Sequence, residues 1–293
     1  MVLYDIYLRI QYDYETPAAG GRHILKLLSA TIEGTQRLIA SHVDIHPQPS
    51  ESYEIQDFFG TRTTNVAFRS MHSEIVYAMY ARIERSDSDR FPLQSMSLTD
   101  LLLLLEKYKS LEHDAPVHFT GPSRRSGIID TLTSYARQWI TPAMDAASIV
   151  RTIGEALNRD MVFDAEATTV DTPAIEAFEN RRGVCQDFSH IMISCLRGIG
   201  IPAGYVSGFL RTKPPPGQPR LEGADAMHAW VRAWCGPAAG WVEYDPTNAM
   251  TVAGDHIVIG YGRDYSDVSP VKGISRVAGG QTTKQTVDVL QLS

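Results

Sequence analysis

The sequence predicts an α+β protein in which a helix packs on an antiparallel sheet, preceded by a β-sandwich-like N-terminal domain. Three features carry that reading. Residues 1–85 alternate apolar with polar residues in short runs broken by turn clusters, which is strand periodicity. From about 95 to 160 the apolar spacing changes to three and four residues, the period of helices. After an apolar helix near residue 190, three strand-like runs follow one another, and helices followed by consecutive strands indicate α+β.

The elements follow in order. Tyr4–Tyr12, Val66–Phe68 and Glu74–Ile83 read as strands, separated by turn clusters such as Ala19-Gly20-Gly21 and His46-Pro47-Gln48-Pro49. Ser97-Leu98-Thr99-Asp100 precedes a leucine run and resembles a capping box with Asp in place of Glu. Gly127–Trp139 and Asp145–Asn158 are expected helices. Asp145 caps the second, and Ile149, Val150, Ile153 and Leu157 form its apolar stripe. Cys185 to Arg197 is apolar nearly all round, so this helix should lie at the centre of its domain, ended by Gly198, Gly200 and Pro202. Ala203–Leu210, Met227–Trp234 and Trp241–Asp245 read as strands, and Lys213–Pro219 as a stiff proline-rich excursion.

Composition bounds the function. The chain has 293 residues, 43% hydrophobic and 21% charged, ordinary for a folded protein large enough for two domains. Its net charge of −7 comes from 27 basic and 34 acidic side chains and gives no electrostatic reason to expect nucleic acid. The three cysteines, Cys185, Cys195 and Cys235, argue against a disulfide framework and fit a reducing compartment. Met1-Val2-Leu3-Tyr4-Asp5 does not read as a signal peptide, and the longest strongly apolar run, Leu101–Leu105, is too short to span a membrane. A cytoplasmic protein with no membrane partner is expected. No metal-ligand cluster stands out, and neither a metal nor a cofactor is expected.

The chemistry concentrates in Arg181-Arg182-Gly183-Val184-Cys185-Gln186-Asp187-Phe188-Ser189-His190. It places Cys185 at the start of a helix, where the partial positive charge of the N-terminus favours a thiolate nucleophile. Such a nucleophile needs a base and a group to orient that base. His228 and Asp245 are the candidates. With Trp234 opposite Trp241 across a hairpin, Asp245 falls opposite Trp230 and diagonal to His228. A two-residue register change puts it directly opposite. Both registers leave His228 and Asp245 on one face, whereas a one-residue slip separates them. Pro246 biases Asp245 towards extended backbone and ends the ladder. Each residue taken alone has an ordinary packing or turn role. Cys195 and Cys235 read as packing material, and His190 as a satisfied core group or a support to the site. The joint order Cys, His, Asp is what points to catalysis.

These residues resemble the transglutaminase-like superfamily, specifically its bacterial members described as candidate cysteine proteases. Gly183–His190 looks like the nucleophile motif and Gly200–Phe209 like the strand that follows it. His228-Ala229-Trp230-Val231 and Gly240–Asn248 look like the histidine and aspartate segments, and His256–Val268 is similar to the family's tail. The resemblance implies a papain-like core with Cys185 as nucleophile, His228 as acid/base and Asp245 as its orienter. It also implies a division into a β-rich domain, 1–85, and a catalytic domain, 86–293, with its core at about 145–268. Met227 stands where a small polar residue is common, and Gly204 where an arginine is common. The expected activity is attack on amide bonds of peptides or proteins through a thioester, resolved by water in a protease or amidase. The alternatives are resolution by an amine, as in transglutamination, and a peptide-binding module without chemistry. The Cys185 N–H is expected in the oxyanion hole, with Gln186 and Trp139 as weak candidates for the second donor. Oligomeric state is not legible.

Overall fold

The computed structural model describes residues 1–86, 91–92, 94–212, 223 and 225–292; the expected excursion at 213–219 lies outside the described residues. Six strands open the chain: β1 (Val2–Ala18), β2 (Gly21–Leu25), β3 (Gln36–His46), β4 (Glu51–Gln56), β5 (Arg62–Phe68) and β6 (His72–Arg85). The alternation Tyr4, Ile6, Leu8, Ile10 puts one face of β1 in the core, with Ile75, Tyr77, Met79, Ala81 and Ile83 of β6 beside it. Two four-stranded antiparallel sheets pack face to face around this core.

Helices α1 (Leu98–Leu105), α2 (Asp130–Arg137) and α3 (Ala146–Asp160) follow. Ser97 Oγ accepts the Asp100 N–H at 3.2 Å, and Asp145 Oδ1 accepts that of Ser148 at 2.9 Å, so both expected caps are formed. Only Asp130–Arg137 of the expected Gly127–Trp139 helix is α-helical. Next come β7 (Val162–Phe163), α4 (Ala174–Asn180), β8 (Arg182–Gly183) and α5 (Cys185–Gly198). Then follow β9 (Ala203–Leu210), β10 (Ala226–Trp234), β11 (Trp241–Asp245), β12 (Met250–Thr251), β13 (His256–Gly262) and α6 (Tyr265–Val268).

The core sheet has the order β12-β11-β10-β9-β13, antiparallel throughout. Residues 186–197 of α5 are all buried, and the helix packs on Ala229, Val231 and Ala233 of β10. Trp234 pairs with Trp241 and Val231 with Tyr244, the first of the two registers considered from sequence.

The final strands return to the beginning of the chain. β14 (Val271–Ser275) pairs with β2, and β15 (Gln281–Leu292) runs along β1 from Leu3↔Leu292 to Tyr14↔Gln281. Backbone hydrogen bonding therefore carries residues 271–275 and 281–292, beyond the expected core at about 145–268, into the N-terminal sheets. The two regions also share a seam. Met227, Phe209 and Ile257 form a row across β10, β9 and β13 and pack on the sandwich core. That accounts for an apolar residue before His228.

Candidate active site

The local sequence fixes where the α5 helix begins. Asp187, in its first turn, accepts the Val184 N–H at 2.8 Å and the Thr168 hydroxyl at 2.6 Å on one carboxylate oxygen. Burial raises the Asp187 pKa, partly opposed by those two bonds. Val184 is thus the cap, and Cys185 is the first residue inside the helix. Among the described residues the Cys185 N–H has no intramolecular acceptor, as expected of a first-turn donor. Cys185 is half-buried, whereas Cys195 and Cys235 are buried and unpaired. Burial drives both of those thiols far up, the behaviour of packing groups.

His228 and Asp245 meet as the hairpin register requires. His228 Nε2 donates to Asp245 Oδ2 at 2.7 Å; the imidazole is 8% exposed and the carboxylate 0%. Asn248 Nδ2 lies 3.4 Å from the same His228 nitrogen, and the Cys185 thiol is close enough to act on the ring. Burial alone lowers the imidazole pKa. The hydrogen bond to Asp245, the neighbouring Cys185 thiol and the charges of both outweigh it, and His228 is pushed up to about 10.

Asp245 is held by more groups than the sequence suggested. Oδ1 accepts the backbone N–H groups of Thr247, at 2.9 Å, and Asn248, at 3.2 Å. Oδ2 accepts the side-chain N–H of Asn248 at 2.7 Å and the Nε2–H of His256 at 3.2 Å, besides that of His228. Burial raises the Asp245 pKa, but these bonds, with His228 and His256 foremost, carry it well below the usual carboxylate range. His256 is 0% exposed and comes from β13, on the far edge of the sheet from β11. Asn248 could have been read from the Asp245-Pro246-Thr247-Asn248 motif as an Asx-type donor. His256 has no local signal, because its role depends on sheet order. Among the described residues, His228, Asp245 and His256 form the cluster whose ligand atoms could close on a cation, all within 4.8 Å of one another. Their mutual hydrogen bonds account for the clustering.

Trp230 backs the site. It is fully buried and donates Nε1–H to Glu243 at 2.7 Å. Its ring lies 5.2 Å from that of His256 and 6.2 Å from that of His228. Gly208 makes room: a Cβ there would sit 2.3 Å from Trp230 and from the Ile257 carbonyl oxygen. His190 is also buried. Its Nε2 accepts the Tyr265 N–H at 3.2 Å, and burial lowers it to about 4, so it is a neutral structural acceptor. The Gln186 amide donates to Val170 O at 3.3 Å, and Trp139 Nε1 is buried without a partner among the described residues.

Known proteins share this organisation. Residues 133–246 match the transglutaminase-like superfamily core, and residues 4–84 the bacterial transglutaminase-like N-terminal region. An uncharacterized protein of Mycobacterium bovis is 32% identical over 244 residues, covering 82% of this chain and 77% of its own. One from Mycobacterium leprae is 28% identical over 285 residues, 96% of each chain. The crystal structure of a candidate cysteine protease from Cytophaga hutchinsonii shares the fold. It has a TM-score of 0.76 at 20% identity, over 100% of this chain and 91% of that one. The chain belongs to the transglutaminase-like superfamily, with the bacterial N-terminal region of that group ahead of its core.

Proposed function

We propose that this protein is a cysteine-nucleophile enzyme that opens amide bonds of peptides or proteins through a thioester and passes the acyl group to water. The observation that carries the reading is the buried His228 ring between Asp245 and the Cys185 thiol. An imidazole raised to about 10 is protonated at neutral pH, the state needed to pair with a thiolate and then protonate a leaving amine. Asp245 fixes Nε2, which leaves Nδ1 as the atom that would exchange a proton with the sulfur in this mechanism.

In the first half-reaction the Cys185 sulfur forms a bond to the amide carbonyl carbon. The oxygen takes up negative charge beside the Cys185 N–H, which is free for it. The C–N bond then breaks, and the amine leaves with the proton from His228. In the second half-reaction neutral His228 takes a proton from water as its oxygen attacks the thioester. The C–S bond breaks, and thiolate and imidazolium are restored. Asp245, well below the usual carboxylate range, stays ionised throughout. A peptide or protein substrate, no cofactor and a reducing, cytoplasmic setting complete the proposal. The setting matches three unpaired thiols, one of which must stay reduced to react. Among the described residues no helix is long and apolar enough to cross a membrane.

The test is to offer peptides and isopeptides with and without added primary amine, reading products by mass spectrometry. Cleaved acids, unchanged by amine and lost in Cys185→Ala, are expected. Amine adducts as the main product would reassign the enzyme to acyl transfer. Substrate binding without turnover, undiminished in Cys185→Ala, would make it a binding module.

A further inference from the structure

Another buried cation lies away from the triad, and among the described residues no oxygen accepts from it. Arg232, towards the end of β10, is 5% exposed. Its guanidinium carbon lies 4.6 Å from the ring centroid of Phe119 and 4.3 Å from those of both Trp241 and Tyr261. Three aromatic faces supply cation–π attraction but no hydrogen-bond acceptor. Among the described residues Arg232 donates no hydrogen bond, and its Nε is buried without a partner. Glu243 stands directly across the strand pair, but its two oxygens accept from Trp230 Nε1 at 2.7 Å and Tyr261 OH at 3.0 Å. On the other side the pairing residue is Gly204, whose missing Cβ leaves the room that the Phe119 ring occupies.

Arg197 shows what this fold does with a guanidinium that serves only structure. It is 3% exposed, and its nitrogens donate to Ala203 O, Ser123 Oγ and Arg263 O at 3.0, 2.9 and 2.7 Å. Arg232 is as deep and has none of these. A buried charged donor without an acceptor is costly, and a ligand oxygen would relieve that cost at Arg232. Burial lowers its pKa to about 10, which leaves it a cation at neutral pH.

Arg232 opens on a cleft of about 450 Å³ between the sandwich and the core sheet, within the size range of small-molecule sites. Ile32, Phe59 and Val252 give it apolar walls. Arg85, which donates to Gln36 Oε1, lines it too, as do Glu243 and Asp114. We propose that this cleft binds a carboxylate carried on an apolar body, the carboxylate taking the Arg232 fork and the body lying on Ile32, Phe59 and Val252. Glu243 and Asp114 in the lining favour a monoanion over a phosphate dianion. His228 and Arg232 are four residues apart on one strand, about 13 Å, with Trp230 between them. The cleft is therefore separate from the triad.

The carboxylate could be that of a free organic acid or of a peptide C-terminus. The full-length protein is titrated with N-acetyl-leucine, with N-acetyl-Ala-Ala-Leu, with the amide of each, and with inorganic phosphate. Binding is read by calorimetry and tryptophan fluorescence, since Trp241 stacks on the guanidinium. At least one acid should bind saturably, about tenfold or more tighter than its amide, and the tighter acid identifies the source. Arg232→Met should remove the acid–amide difference and Arg232→Lys should keep part of it. Equal binding of acid and amide, phosphate binding as tightly as the acids, or an unchanged preference in Arg232→Met overturns the proposal. So does no saturation up to about 10 mM. The acid–amide comparison on the unaltered protein decides the matter even where a variant does not fold.

Discussion

His190 and His228 are both buried in the sheet-and-helix core, yet their environments drive them in opposite directions. Burial lowers His190 to about 4, and the Tyr265 N–H donates to its Nε2, a bond that only a neutral ring accepts. Burial acts the same way on His228, but Asp245 and Cys185 outweigh it and the ring rises to about 10. Depth does not separate the two. The facing atom does: an N–H donor holds His190 neutral, and a carboxylate held by five donors holds His228 in the protonated state that the proposed acid/base role requires.

The contrast can be broken in steps. The largest effect is expected from Cys185→Ala, which removes the group His228 faces; amide turnover should fall about 10⁴-fold or more with binding retained. Asp245→Asn should lower kcat by roughly 10²–10⁴-fold. In the same variant, NMR titration should find the His228 midpoint moved down from about 10, towards the behaviour of His190.

Stability against pH should separate the pair by sign. His228 binds its proton more tightly folded than unfolded, where the ordinary value is about 6.5. Its contribution is therefore whole below that value and is lost as pH rises through about 10. His190 is the reverse: the unfolded chain takes the proton first, so stability is lost as pH falls from about 6.5 towards the folded value of about 4. Denaturant midpoints measured across pH should show His228→Gln flattening the alkaline limb and His190→Gln the acid limb. A flattening on the same side by both variants would remove the distinction.

Smaller effects sharpen the account. Asn248→Ala deletes one of the donors on Asp245 and should reduce kcat about tenfold, with KM little changed. Ser97→Ala, far from the pair in sequence and in role, should cost about 1 kcal/mol in chemical denaturation and leave kcat unaltered.

Local signals made much of this arrangement legible. The caps at Ser97 and Asp145, the bounds of β9 and β11 and the Trp234–Trp241 pairing all follow from short-range pattern. The period-two argument that puts His228 and Asp245 on one face needs only the hairpin. What stayed hidden depends on long-range order. His256 reaches Asp245 because β13 joins the sheet beside β9, an adjacency that periodicity does not encode. The pairing of β15 with β1 joins the two ends of the chain, and each strand alone reads only as a strand. In the sequence Arg232 is one polar residue in an apolar strand. Its lack of an acceptor emerges only when Glu243 is found occupied by Trp230 and Tyr261. Gly204 and Met227, which depart from the family pattern, mark places where other parts of the chain press in: Phe119 on one, the sandwich core on the other.

The central claim is that Asp245, through His228, makes Cys185 the reactive thiol of this chain. Its most direct test is the rate of iodoacetamide alkylation at pH 6, read at each cysteine by peptide mass spectrometry in the unaltered protein and in Asp245→Asn. The account predicts rapid labelling confined to Cys185, slowed about tenfold or more by the substitution. Labelling of Cys185 no faster than glutathione under the same conditions, and indifferent to Asp245→Asn, would contradict it.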